Sequence, residues 1–139
     1  EKLYAEKREK CKVEIGTADE KEIDKITILN ATFLAMRRAL EQIDNYDIVL
    51  VDGNHKIREY SGRQEEIIKG DGRSLSIAAA SIVAKVYRDN IMKDFARQYP
   101  DYRFEKHKGY GTMLHRELLH AHGACKIHRK TFLRKILGE

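Results

Sequence analysis

Two aspartates stand where a chain could do phosphodiester chemistry. Asp52 closes the run Ile48-Val49-Leu50-Val51, Asp71 follows Ile67-Ile68 by three residues, and each lies beside a glycine. Open α/β sheets place their working groups at the carboxyl ends of buried strands. If neighbouring strands bring both carboxylates to one rim, their hard oxygens suit Mg²⁺ or Mn²⁺. Two such ions about 4 Å apart can activate water and stabilise a leaving oxygen. An Asp next to Gly is also an ordinary turn signal, and two carboxylates are too few for a two-metal site, so residue type alone leaves both readings open. A second constellation is His107-Lys108-Gly109-Tyr110-Gly111-Thr112. Basic residues around a glycine-flanked ring can hold phosphates while the ring stacks on a sugar or base; an ordinary loop with its tyrosine packed on the core fits equally. A third is His115, His120, His122, Cys125 and His128. One cysteine without a C-x-x-C pair is unlike a structural zinc knuckle, and helical, surface and capping histidines explain the spacing better.

The elements that must position these groups follow from hydrophobic period. The unbroken run 48–51 predicts a strand covered on both faces, and Gly53 lets the chain turn after it. Residues 65–70 predict a second short strand, and Gly70 and Gly72 a tight turn into a helix capped by Ser74. That helix, 75–98, is the longest; its first half, rich in Ile and Ala, is small and apolar nearly all round and should be buried, and Pro100 ends it. Upstream, 1–10 reads as a charged helix and 11–18 alternates as a half-buried strand. Residues 21–43 are helical on a stripe of Ile26, Leu29, Phe33, Met36, Leu40 and Ile43, with a break near 24–27. Residues 54–64 predict a polar surface loop and 101–111 a loop rich in aromatic and basic residues. A helix over 112–121 closed by Gly123 and a short amphipathic helix within 127–137 complete the chain.

Length and charge set the class. At 139 residues, 42% apolar and 35% charged, the chain is a single domain with enough apolar residues for a core. No apolar run approaches the length that spans a bilayer, no basic-then-apolar leader opens the chain, and two distant cysteines, Cys11 and Cys125, make no disulfide framework. A cytoplasmic protein with reduced thiols is the expectation. The net charge of +5 is uneven: residues 103–139 carry nine Lys and Arg against three Glu, on a nearly neutral body. Such asymmetry points to a polyanionic partner, nucleic acid being the commonest.

Taken in order, the motifs resemble type 2 ribonuclease H. Those that carry the likeness are Glu22-Ile23-Asp24, Ala31-Thr32, Ala35-Met36, Val51-Asp52-Gly53 and Lys69-Gly70-Asp71. They continue with Ala78-Ala79-Ala80-Ser81-Ile82-Val83-Ala84-Lys85-Val86, Arg88-Asp89, Tyr99-Pro100, His107-Lys108-Gly109-Tyr110-Gly111-Thr112, Gly123 and His128-Arg129. The block from Lys69 to Asp89 is the most specific, and the likeness runs the whole chain. It implies a ribonuclease-H-like α/β fold: a mixed sheet flanked by helices over 1–111, then a basic helical extension of the same domain over 112–139. It implies an endonuclease that cuts the RNA strand of RNA/DNA hybrids and single ribonucleotides in duplex DNA, leaving 3′-OH and 5′-phosphate.

The resemblance also implies roles. Asp52 and Asp71 match the third and fourth of four acidic residues that hold Mg²⁺ or Mn²⁺. Tyr110 matches the tyrosine that senses the 2′-OH and stacks on the sugar, Lys108 and His107 would lie near phosphates, and Arg88 and Asp89 would form a structural pair. The complete enzyme is expected to be a monomer. Nothing here matches the opening Asp-Glu-Ala-Gly-Arg-Gly motif of the family, and Thr27 stands where many members carry Asn. The chain is therefore expected to begin in the helix after the opening strands. An alternative follows, a catalytically incomplete fragment or subunit that only binds nucleic acid. Strand 48–51 would then present an open edge, which favours self-association.

Overall fold

The computed structural model describes residues 11–137. The charged helix expected over 1–10 lies outside the described residues. The chain divides by packing into two units, with the boundary between Ala84 and Lys85.

In the first unit, α1 (Glu20–Ile26) starts on a reciprocal cap: Asp19 accepts from the Glu22 amide at 2.8 Å and Glu22 accepts from the Asp19 amide at 3.2 Å. Thr27, at φ +76°, separates α1 from α2 (Ile28–Leu40), which places the expected break at one residue. The Arg38 guanidinium grips Glu22 through two bonds of 2.9 and 2.6 Å. These hydrogen bonds hold the Glu22 carboxyl below its usual range.

The part of the anticipated stripe that lies on α2 faces the core, with Phe33 buried and Leu29, Met36 and Leu40 half-buried, whereas Ile26 belongs to α1 and Ile43 lies beyond α2. Phe33 packs with Val51 and Ile57, and Leu29, Met36, Leu40, Val49 and Tyr60 close around them. Burying a side chain such as Phe33 stabilises by about 1.5–3 kcal/mol. Ile57 comes from the stretch expected to be a polar surface loop, yet it is 3% exposed. The Gln64 amide holds it in place by bonding both the Ile57 N–H and its carbonyl, at 2.6 and 3.0 Å.

Residues 11–18, expected as a strand, join no sheet among the described residues. Their alternation is satisfied by a helix instead. Gln42 donates to the Ile15 carbonyl at 2.9 Å and Arg38 to the Thr17 carbonyl at 2.8 Å. Gly16 lies so close to α2 that an added Cβ would sit 1.9 Å from the Ala35 carbonyl oxygen.

β1 (Val49–Asp52) and β2 (Gln64–Ile67) form a parallel pair, with Val49 opposite Gln64 and Asp52 opposite Ile67. The observed burial is narrower than the apolar run suggested: Val51 is buried, while Val49 and Leu50 are half-buried. After β2, a 3₁₀ turn (Gly70–Gly72) leads into α3 (Leu75–Gln98). Ser74 accepts from the Ile77 amide at 3.3 Å, the expected cap. The first half of α3 is not buried all round: Ile77 and Val83 are buried, while Leu75 is 80% exposed.

In the second unit, Pro100 opens a 3₁₀ turn (Pro100–Tyr102) and a single helical turn, α4 (Phe104–His107), follows where a loop was expected. α5 (Met113–His122) starts at Thr112, which accepts from the His115 amide at 3.3 Å, and ends at Gly123, φ +73°. α6 (Lys130–Leu137) is the short amphipathic helix. Tyr102, Phe104 and Leu119 form the core here, with Phe95, Tyr99, Ile127, Phe132, Leu133 and Ile136 packed on it.

Candidate functional site

Strand alternation turns Val51 inward and Asp52 outward at the last position of β1. The parallel register sets Ile67 beside it, so the segment leaving β2 passes Asp52 directly. There Asp52 Oδ1 accepts from the Gly70 N–H at 2.8 Å. Gly70 is buried, and an added Cβ would lie 2.6 Å from Ile77 Cδ1 and 3.2 Å from Asp52 Oδ1. Only a residue without a side chain lets the backbone approach that closely. Asp71 is the next residue, exposed, its Oδ1 accepting from the Gly72 N–H at 3.0 Å. Both aspartates therefore stand at the carboxyl end of the same strand pair, joined through one residue.

The donor chemistry fits a hard cation: two exposed carboxylates, with Asp52 Oδ2 outside the bond to Gly70. The set is short in number. Among the described residues, no three His, Cys, Asp or Glu side chains are grouped so as to hold an ion.

The aromatic and basic segment belongs to the second unit. Lys108 at φ +53° and Gly109 at φ +82° are consecutive left-handed positions, and the turn they make leaves Tyr110 63% exposed. The ring is therefore not packed away in the core. The Arg88 guanidinium lies over it, 5.5 Å from its centroid, and donates to the Lys108 carbonyl at 3.0 Å. The expected Arg88–Asp89 pair does not form, since Asp89 instead meets Lys85 at 3.6 Å one helical turn back. Lys108 spends one of its ammonium donors on the Glu105 carbonyl at 2.8 Å.

His107, expected to lie near phosphates, is buried within the second unit. Its ring is 5% exposed, Nε2 bonds the Tyr102 carbonyl and Nδ1 accepts from the Gly109 N–H at 3.0 Å. Burial pushes it below the usual histidine range, so it stays neutral and braces the turn.

His115 and His128 are also buried, at 1% and 9% exposure, where surface or capping roles were expected. The spacing that suggested zinc places them ring to ring, their Nε2 atoms 2.8 Å apart. Nothing in the sequence marked Arg88 or this histidine cluster as neighbours of Tyr110; both contacts bridge residues from different elements.

The family model for ribonuclease HII matches residues 2–135. The chain belongs to the ribonuclease HII family. It is 57% identical to a protein named ribonuclease HII from Fusobacterium nucleatum over 99% of this chain and 66% of that protein. It is 57% identical to one from Endomicrobium trichonymphae over 79% of this chain and 53% of that protein. A third, from Caldicellulosiruptor bescii, is 51% identical over 99% of this chain and 68% of the relative. The chain thus spans about half to two thirds of the length of these curated ribonuclease HII relatives. The α/β character, largely helical with a small parallel sheet, accords with that family.

Proposed function

We propose that this protein is the metal-dependent endonuclease its family name describes, cutting RNA strands in RNA/DNA hybrids and single ribonucleotides within duplex DNA. The observation that carries the reading is the placement of Asp52 and Asp71 at one end of β1 and β2, tied through the Gly70 amide, in a chain that matches ribonuclease HII along nearly all its length. Asp52 and Asp71 would hold Mg²⁺ or Mn²⁺. Such an ion, when bound, supplies a nucleophilic water and offsets charge on the leaving oxygen. The Gly70 N–H fixes one Asp52 oxygen, so the other is presented in a set direction.

In the second unit, Tyr110 offers an exposed phenol for the ribose, since the 2′-OH is what separates RNA from DNA. Arg88 holds that ring by its face, and the Lys108 ammonium is available to phosphate through its remaining donors. His107 would act through the turn it braces, by its bond from the Gly109 N–H beside Lys108. The basic residues over 112–139, a helical extension of the same domain, would hold the nucleic-acid backbone. A monomer in the cytoplasm is part of the reading; no helix among the described residues is long and apolar enough to cross a membrane.

The test is a duplex carrying one ribonucleotide, incubated with Mg²⁺ or Mn²⁺. Cleavage to 3′-OH and 5′-phosphate ends is expected, with an Asp52→Asn variant still binding hybrid while cleavage falls by 100-fold or more, on the order of 3 kcal/mol. Unchanged cleavage by that variant would remove Asp52 from the reaction. The small number of grouped carboxylates among the described residues favours one second reading, a chain that binds hybrid without cutting it. Turnover by the purified 139-residue chain decides against it.

A further inference from the structure

The second unit contains a buried cluster that the proposed reaction leaves unused. His115 and His128 bring their Nε2 atoms to 2.8 Å. Two ring nitrogens at that distance share one hydrogen: with none the lone pairs repel, and with two the N–H groups collide. The outer nitrogens decide which ring carries it. Nδ1 of His115 faces the Tyr110 carbonyl at 2.9 Å. A carbonyl only accepts, so that nitrogen bears hydrogen. Nδ1 of His128 receives the Cys125 backbone N–H at 3.0 Å, so that nitrogen is bare. A neutral His115 then has a bare Nε2, and a neutral His128 has an Nε2–H. One hydrogen lies between them, donated by His128. Two end conditions set by backbone groups thus close on the middle bond with no conflict and no net charge.

We infer that His128 and His115 are positioning residues for Tyr110: a directed hydrogen-bond chain from the Cys125 N–H to the Tyr110 carbonyl holds the backbone from which the phenol projects, and it holds only while both imidazoles are neutral. The inference rests on the proposed function for what Tyr110 does, not for the existence of the chain. A proton added to His128 would enter at Nδ1, against the Cys125 N–H. One added to His115 would enter at Nε2, against the His128 N–H. Either addition breaks a bond. His107 extends the arrangement: it stacks on His115 with centroids 4.0 Å apart and, through its own bonds, fixes the Gly109 amide next to Tyr110.

The groups facing the pair do not favour a charge. His107 covers one face of His115, the Tyr102 ring lies 5.1 Å from His128, and the Cys125 thiol is 3.2 Å from His128 Nδ1. Phe104 and Phe132 close the remaining sides, with Arg129 over the Phe132 ring. Glu105 acts on His107. Burial, reinforced by neighbouring imidazoles, pushes both histidines down, His128 to about 4.

The experiment is nitrogen-15 labelling of the histidines in the full 139-residue chain, with long-range proton–nitrogen correlation at pH 7.5. His115 is expected as the Nδ1–H tautomer, and His107 and His128 as Nε2–H. An Nε2–H His115, or a charge on either ring of the pair, overturns the inference. Hydrogen exchange adds a readout that general loosening would not give. In His115→Leu, the Tyr110 and Thr112 amides, bonded to the His107 and Tyr110 carbonyls, should exchange at least tenfold faster. Amides inside α5 should change less than threefold. His115→Asn, whose side-chain amide can still donate to Tyr110, should restore the rates to within threefold. A uniform rise across the unit would mean a merely structural role and would overturn the positioning. Should His115→Leu fail to fold, the native tautomers and the Asn variant still decide. Tyr110→Phe with unaltered cleavage would sink the reading of Tyr110 and leave the tautomers standing.

Discussion

Gly70 shows how one absent side chain shapes the candidate site. It brings a backbone N–H to Asp52 at 2.8 Å, and alanine there would press on both Ile77 and that carboxylate. Gly70→Ala is expected to cost about 1–2 kcal/mol in a denaturant melt, because the Ile77 methyl can give a little while the carboxylate must move. It should also raise the Mg²⁺ concentration needed for half-maximal cleavage. An unchanged metal requirement would show that the Gly70–Asp52 bond does not orient the ligand. Arg88 is the second residue of this kind. Its guanidinium both covers Tyr110 and bonds the Lys108 carbonyl, and a lysine ammonium cannot do both. Arg88→Lys is expected to lower cleavage at a single ribonucleotide about tenfold with little change in melting. Equal loss of stability and activity would point to packing instead.

The elements of the first unit are fixed by close approaches along α2. Gly16→Ala would drive a methyl into the Ala35 carbonyl, so a loss of roughly 2–4 kcal/mol is expected from the denaturant midpoint. Thr27 works the other way. A β-branched residue at φ +76° is strained by about 1–3 kcal/mol. Thr27→Gly should recover part of that, about 1 kcal/mol, despite losing the 3.4 Å contact with Asn30. A lower midpoint for this variant would mean the side chain contributes more than the backbone strain costs.

At the scale of the molecule, acid is the informative variable. His107, His115 and His128 all have folded-state values below the ordinary histidine range because burial disfavours their charge. The unfolded chain therefore binds more protons below about pH 6.5. The stability these rings contribute is complete above that pH and is lost as pH falls toward about 4, where His128 protonates in the fold. A loss of roughly 1–3 kcal/mol is expected between pH 7 and pH 4.5 from this group, seen as a falling melting temperature. A flat profile across that window would show the imidazoles charged or solvated. The last third, with its excess of Lys and Arg, predicts that hybrid affinity falls steeply with salt, with a slope set by the phosphates contacted.

The sequence by itself determined the strand pair's location, the long helix after it, the core-facing residues of α2, the caps at Ser74 and Thr112, and the family, because these depend on neighbours within a few residues or on an ordered series of motifs. It also marked Asp52 and Asp71, since strand-then-turn patterns place them at strand ends. The tertiary structure alone decided what required two segments to meet. Residues 11–18 lie against a helix and not in a sheet because their carbonyls find Gln42 and Arg38. Ile57 enters the core because Gln64 satisfies its backbone. His107 turns away from solvent, and His115 finds His128 thirteen residues on, because a buried imidazole needs a partner at each nitrogen. Periodicity shows which face of an element is apolar; which polar atoms meet across elements depends on how the chain folds back on itself.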